Sequence, residues 1–201
     1  MGKKNFNMKV TISIPSNRLI KPQTAECVMK LVARGGYDFH ILMASEGYTI
    51  AENRNWIAVQ AINNLSEYLL MVDDDMTFEP DLLDKMVAQN KDILGVAYHP
   101  RSETGTITKY LDETHAVKIN ESEDPKYKAS FKCYATGTGI ILIKCSTFLK
   151  VPRPWFAFEW YENGACKQGE DWYFCVKAGK HNIETWCDPT LKVGHLGDVI
   201  Q

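Results

Sequence analysis

Apolar and polar positions alternate over residues 8–15 (MKVTISIP), with β-branched side chains among them, and this predicts a strand. From residue 24 to 34 the period lengthens: Ala25, Val28, Leu31 and Val32 share one helical stripe, which Gly35 and Gly36 end. Residues 38–44 (DFHILMA) predict a second strand, and 51–63 a helix with Ile57, Ala58, Ala61 and Ile62 facing inward. A strand at 69–72, a helix over 80–90 and a strand within 92–98 continue the rhythm. Strand–helix–strand repetition at this spacing predicts an α/β fold with a mainly parallel sheet and helices on both faces.

After residue 98 the pattern breaks. Residues 99–127 are polar and aperiodic, which predicts a long excursion with short strands. Order returns with a buried strand at 138–143 (TGIILI) and a short helix at 147–149. Residues 151–161 (VPRPWFAFEWY) are dense in proline and aromatics; 169–178 reads as a helix closed by Gly179, 183–187 as a last strand, and 191–197 as a terminal loop. No repeat or low-complexity linker interrupts the chain. The expectation is one domain over residues 1–201, with a nucleotide-type half (8–100) and an acceptor-type half (101–201).

Composition narrows the classes. A chain of 201 residues, 45% hydrophobic and 24% charged, can bury one substantial core and is not of the disordered kind. A net charge of −2 gives no global electrostatic reason to bind nucleic acid or membrane. Locally, residues 125–154 carry Lys126, Lys128, Lys132, Lys144, Lys150 and Arg153 with no acid, either a solvated face or a surface for an anionic acceptor. The six cysteines show no C-x₂-C spacing, and several fall inside apolar segments, where a free cysteine behaves as a small hydrophobe. With neither a signal peptide nor a bilayer-length apolar run, a reducing cytoplasm without disulfides is expected, that of the host if the chain is phage-encoded.

The chemistry concentrates where the apolar run 68–72 meets Asp73, Asp74 and Asp75. Ligands of open α/β sheets bind beyond the carboxyl ends of such strands. Three adjacent acids repel one another unless a cation or hydrogen-bonding ligand compensates, and a hard divalent ion that also holds phosphates suits them. On an extended backbone Asp73 and Asp75 project to the same side. A turn into a helix beginning at 77–81 is the other reading of the same residues. Downstream lie Gly137-Thr138-Gly139, Gly169-Glu170-Asp171, and His195 within Val193-Gly194-His195-Leu196-Gly197.

In that order and spacing these features resemble the GT-A fold of nucleotide-sugar-dependent glycosyltransferases, family-2-like members especially, in a compact form such as phages encode. The resemblance covers nearly the whole chain and implies a Rossmann-like mixed sheet, mainly parallel. It implies that Asp75 binds Mn²⁺ or Mg²⁺, that Asp73 shares the ion or meets the ribose, that Asp74 belongs to the nucleotide site, and that His195 completes the coordination. A histidine ligand favours Mn²⁺. It further implies that Pro15, Ser16 and Asn17 hold base and ribose, that Arg54 meets a phosphate, and that Gly137, Thr138 and Gly139 let a sugar approach closely. Asp171 would be the base of an inverting transfer, Glu170 its orienting neighbour, and Trp155 and Trp160 an acceptor platform.

Each residue also has a structural reading: a loop histidine for His195, a helix-dipole pair for Glu170 and Asp171, an internal ion pair for Arg54, core packing for the tryptophans. Stereochemistry stays open, and a retaining enzyme needs no base. The implied activity is metal-dependent transfer from a nucleotide-diphosphate sugar, a UDP-sugar in first place, to a hydroxyl on a glycan, protein, small molecule or hydroxymethylated DNA base. The alternatives are a non-catalytic module binding a nucleotide or anionic polymer, and a nucleotidyltransferase. Residues 15–19 (PSNRL) lack the glycine-rich basic signature usual in the latter.

Overall fold

The computed structural model describes residues 8–16, 19–43, 49–99, 108–119 and 122–196. The chain begins with β1 (Lys9–Ile14), α1 (Pro22–Arg34), β2 (Asp38–Met43), α2 (Ile50–Asn63), β3 (Tyr68–Val72) and β4 (Met76–Phe78). Next come α3 (Leu82–Ala88), β5 (Ile93–Val96), a hairpin of β6 (Thr108–Tyr110) and β7 (Ala116–Lys118), and a 3₁₀ turn at Pro125–Lys128. The remainder comprises β8 (Phe131–Cys133), β9 (Ile140–Lys144), α4 (Cys145–Lys150), a hairpin of β10 (Glu159–Trp160) and β11 (Cys166–Gln168), α5 (Glu170–Lys180), β12 (Thr185–Asp188) and β13 (Val193–His195).

Seven strands form the central sheet in the order β2-β1-β3-β9-β5-β12-β8. β2, β1 and β3 run parallel, as do β5 and β12; β9 enters between the two groups antiparallel to both, and β8 closes one edge antiparallel to β12. The sheet is therefore mixed and mainly parallel, as the sequence implies. Its centre reads as continuous apolar runs because both faces are covered, and every residue of β3 is buried.

The two-residue period of a strand sorts these side chains into two cores. Leu69 and Met71 of β3 pack with Ile141 and Ile143 of β9 under Ile57 and Ala61 of α2, Phe148 of α4 and Phe174 of α5. Leu70 and Val72 face the other way, with Ile140 and Leu142, against Val28 and Leu31 of α1 and Leu83 and Met86 of α3. α2 opens on a capping box: the Glu52 N–H donates to Thr49 Oγ1 at 3.3 Å, and the Thr49 N–H donates to Glu52 Oε2 at 3.0 Å. This start places Arg54 in the helix's first turns, under the tip of β3.

Two short strands depart from the sequence reading. Residues 76–78, expected to enter a helix, and 193–195, expected to be loop, pair antiparallel as β4 and β13. Three residues are too few to display a period, so local pattern cannot reveal them.

Candidate active site

β3 ends in the middle of the sheet, and the chain turns at once. The Asp73 N–H donates to the Gly139 carbonyl at 2.8 Å, and the Met76 N–H reaches back to the Asp73 carbonyl at 3.3 Å. The backbone is therefore not extended through Asp75, and the expectation that Asp73 and Asp75 share a side for that reason is corrected. The turn sends the three carboxylates to three different partners.

Asp73 meets Arg54, whose Nη2 donates to Oδ1 at 2.9 Å; the same guanidinium donates from Nε to Glu170 Oε1 at 3.3 Å and from Nη1 to Met71 Sδ at 3.7 Å. Arg54 is only 2% exposed. Burial works against its charge, but Asp73, Glu170 and Asp171 together more than offset that and hold its pKa above the ordinary value. Burial lifts the Asp73 carboxyl above the usual range against the pull of Arg54, and Asp75 and Glu170 push it the same way. With two carboxylates and a sulfur at its nitrogens, Arg54 is occupied within the protein. The expectation that it meets a phosphate gives way to the internal ion pair.

Asp74 accepts a hydrogen bond from Ser16 Oγ, and its carbonyl accepts from the Lys21 N–H at 2.9 Å and Thr24 Oγ1 at 3.0 Å. It ties the acidic turn to the segment after β1, where Pro15 and Ser16 are buried. Asn17 lies outside the described residues.

Asp75 meets His195 through the pairing of β4 with β13. That register sets His195 opposite Met76, and the Leu196 N–H donates to the Asp75 carbonyl at 2.8 Å. A Cβ at Gly194 would lie 2.4 Å from Thr77 Oγ1, so glycine lets that hydroxyl keep its place. Nε2 of His195 then lies 3.3 Å from Asp75 Oδ1, while Nδ1 lies 3.1 Å from the His99 carbonyl. A carbonyl only accepts, so Nδ1 bears the proton of that bond. With Nδ1 so engaged, Nε2 faces the Asp75 carboxylate, an arrangement that either a proton on Nε2 or a cation between the two satisfies.

Among the described residues no three His, Cys, Asp or Glu side chains converge as a metal site. The donor set nevertheless fits a hard divalent ion of the kind that takes one or two protein ligands and completes its shell with substrate phosphates and water. A backbone carbonyl fixing the second ring nitrogen is the usual support of a metal-bound histidine.

Tyr98, which the sequence reading did not single out, packs against this pair. Its ring stands edge-on to His195 with centroids 5.4 Å apart, and its Oη accepts the Gly139 N–H at 3.1 Å. A Cβ on Gly139 would lie 2.7 Å from Tyr98 Cζ, and one on Gly137 2.4 Å from its Oη. The space those glycines leave is filled by the phenol rather than offered to a sugar, and Thr138 between them is buried. Burial is the main cause of the raised Tyr98 pKa, and the charges of Asp73 and Asp171 add to it.

Glu170 and Asp171 open α5 on Gly169, as the sequence predicts. Glu170 is fixed by Arg54. Asp171 accepts the Trp172 N–H at 2.8 Å and pairs with no cation among the described residues. Burial raises its carboxyl pKa; the Trp172 amide, Arg54 and Lys109 pull it partly back.

The aromatic segment divides. Trp155, 2% exposed, donates its indole N–H to the Phe148 and Val151 carbonyls and packs on Phe148. It is core, and the expectation that it faces an acceptor is corrected. Trp160 on the β10–β11 hairpin is 61% exposed. Half of the basic stretch is paired: Lys126 with Asp124, Lys132 with Glu184 and Lys144 with Asp92. No described helix is long and apolar enough to cross a membrane.

No family model and no curated protein matches the sequence. Solved structures match along nearly its whole length. A197 from STIV superposes with a TM-score of 0.62 at 18% identity, over 95% of this chain and 87% of that one. The inositol-1-phosphate CTP transferase from T. maritima gives 0.54 at 9% identity, over 95% and 89%. GalNAc-T7, solved with UDP, GalNAc and Mn²⁺, gives 0.54 at 9% identity, over 96% of this chain but 44% of its own. At these identities the likeness establishes the fold, which is GT-A-like.

Proposed function

We propose that this GT-A-like chain transfers a sugar from a nucleotide-diphosphate sugar, a UDP-sugar in first place, to a hydroxyl acceptor with the aid of Mn²⁺ or Mg²⁺. Residues 8–100 would carry the donor and 101–201 the acceptor. One observation carries the reading: Asp75 Oδ1 and His195 Nε2 face each other at 3.3 Å beyond the central strand's carboxyl end, a carboxylate and an imidazole placed so that one ion can take both as ligands. Asp75 and His195 would hold the ion, which when bound offsets the charge growing on the diphosphate as the glycosidic bond breaks.

The chain's own groups supply the rest. Arg54 locks Asp73 and Glu170 in place, so that Asp73 faces the donor as a fixed acceptor for the ribose and Glu170 steadies the start of α5. The acceptor oxygen forms a bond to the anomeric carbon while the carbon–phosphate-oxygen bond breaks. The electron pair leaves on the diphosphate, and the hydroxyl proton passes to the Asp171 carboxylate. Asp171 suits a base because burial raises its pKa towards the working range and no cation pairs with it among the described residues. Trp160 is exposed in the acceptor half and offers a stacking face.

The nucleotidyltransferase reading shares the fold of one structural match and is tested alongside. UDP, CTP and UDP-sugars are titrated with and without Mn²⁺, following thermal unfolding; a donor at a hundred times its dissociation constant contributes about 2.7 kcal/mol. The proposal expects Mn²⁺-dependent stabilisation by UDP-sugars, slow release of free sugar, and loss of both in Asp75→Ala. Stabilisation by CTP with pyrophosphate release would favour nucleotidyl transfer. No response to any nucleotide would defeat both readings.

A further inference from the structure

Lys109 is a buried cation that the proposed transfer does not use. It is 7% exposed, and its Nζ donates to one neutral partner, Thr136 Oγ1, at 3.2 Å. Among the described residues no carboxylate lies within ion-pair distance of it. A buried ammonium without a counter-charge is costly and invites an anion.

Its position is held by backbone structure. The Tyr134 N–H donates to the Tyr110 carbonyl at 2.7 Å, Tyr110 bridges Ala135, and the Tyr110 ring meets Trp172 with centroids 4.5 Å apart. With Tyr110 on one side of β6, alternation turns Lys109 to the other, towards Thr136 and Tyr98. Its Nζ lies 5.7 Å from the Tyr98 ring centroid. Tyr98 contributes a second unspent group. Its oxygen accepts from Gly139, but its own O–H finds no acceptor among the described residues.

The surroundings say which side of the site this corner serves. The Tyr110 ring, one residue from Lys109, packs on Trp172, the neighbour of Asp171, and the Lys109 charge acts on Asp171; Tyr98 feels the charge of Asp73 first and that of Asp171 after it. The Tyr98 ring meets His195 edge-on and has Lys109 Nζ 5.7 Å from its centroid. Lys109 therefore stands with the candidate base, and Tyr98 lies between it and the donor-side groups.

We propose that Lys109, Tyr98 and Thr136 receive an oxyanion carried by the acceptor, so that the hydroxyl to be glycosylated belongs to a phosphorylated or carboxylated molecule. The ligand's role as acceptor rests on the transferase reading; the oxyanion site itself does not.

Two independent titrations of the full chain test it. In the first, inorganic phosphate and, separately, acetate are titrated calorimetrically without metal or nucleotide, the two anions distinguishing a phosphate from a carboxylate as the favoured group. In the second, UDP is titrated with Mn²⁺. Lys109→Met should weaken the favoured anion about tenfold or more and Tyr98→Phe by less, the scale of a charge-assisted and a neutral hydrogen bond. UDP affinity in Lys109→Met should stay within about twofold, since Lys109 stands with Asp171 rather than with the donor's diphosphate. The site is refuted if neither anion binds the wild type, or if Lys109→Met binds the anion as the wild type does. Parallel loss of UDP would place Lys109 on the donor side and overturn the acceptor assignment. Failure of UDP to bind any protein, with anion binding still dependent on Lys109, would sink the transferase reading and leave the oxyanion site standing.

Discussion

Arg54 holds Asp73 from inside the protein, with Nη2 2.9 Å from Oδ1 and a side chain only 3% exposed, while its Nε reaches Glu170. One buried guanidinium thus joins the end of β3 to the start of α5, the two elements that carry the candidate donor and base groups. Arg54→Met removes the charge and leaves two acids facing each other without a cation, at an expected cost of about 3–5 kcal/mol in urea unfolding. The triple variant with Asp73→Asn and Glu170→Gln should recover most of that loss. If Arg54→Met unfolds like the wild type, the ion-pair account fails.

Tyr98 fills the space above two glycines, and this makes Gly139 a sensitive position. Gly139→Ala drives a Cβ to 2.7 Å from the phenol carbon, and the ring cannot retreat freely because His195 stands on its edge. A loss of about 1–3 kcal/mol is expected, typical of overpacking. Shortening the obstacle with Tyr98→Leu in the same chain should reduce the penalty; an undiminished penalty would assign the cost to the backbone instead.

Asp171 links stability to activity through pH. Its carboxyl is raised by burial, so between the unfolded and folded pKa values the native state binds more protons than the unfolded chain. Stability from this group therefore falls as pH rises through that window, and above it the ionised carboxylate opposes folding. Asp171→Asn, which keeps an acceptor for the Trp172 amide, should raise the melting temperature at neutral pH while abolishing transfer. The acid limb of the wild-type transfer rate should lie above the ordinary carboxylate range. A lower melting temperature would contradict the assigned cause.

The two tryptophans separate core from surface. Trp155→Ala removes a buried ring and two indole hydrogen bonds and should cost about 3–5 kcal/mol. Trp160→Ala should change stability by less than about 0.5 kcal/mol, and any effect should fall on the acceptor's KM rather than on the donor's. Comparable destabilisation by both would invalidate the division.

What was legible in the sequence follows from periodicity. β1, α1, α2, β3 and β9 carry regular apolar patterns over five or more residues, and they lie where the pattern sets them. The acidic turn at the tip of β3 and the acids opening α5 were legible as types in an order. Their partnerships were not, because the meeting of Arg54 with Asp73 and Glu170 depends on how α2 and α5 flank β3. β4 and β13 escaped because short strands exist only through each other, and their register alone brings His195 to Asp75. Tyr98 and Lys109 gave no signal: one ends an ordinary apolar strand pattern and the other is a lysine in a polar stretch, and tertiary packing alone makes both unusual. The dense aromatics of 151–161 do not show in one dimension which rings turn inward; the cores decide that.

The central claim is that Asp75 and His195 share a divalent ion, and electron–nuclear double resonance of Mn²⁺ bound with UDP tests it most directly. A nitrogen coupling is expected in the wild-type complex and should disappear in His195→Ala, with Mn²⁺ affinity about 10–100-fold weaker. A spectrum without nitrogen coupling, or one that His195→Ala leaves unchanged, would mean that the imidazole never touches the ion.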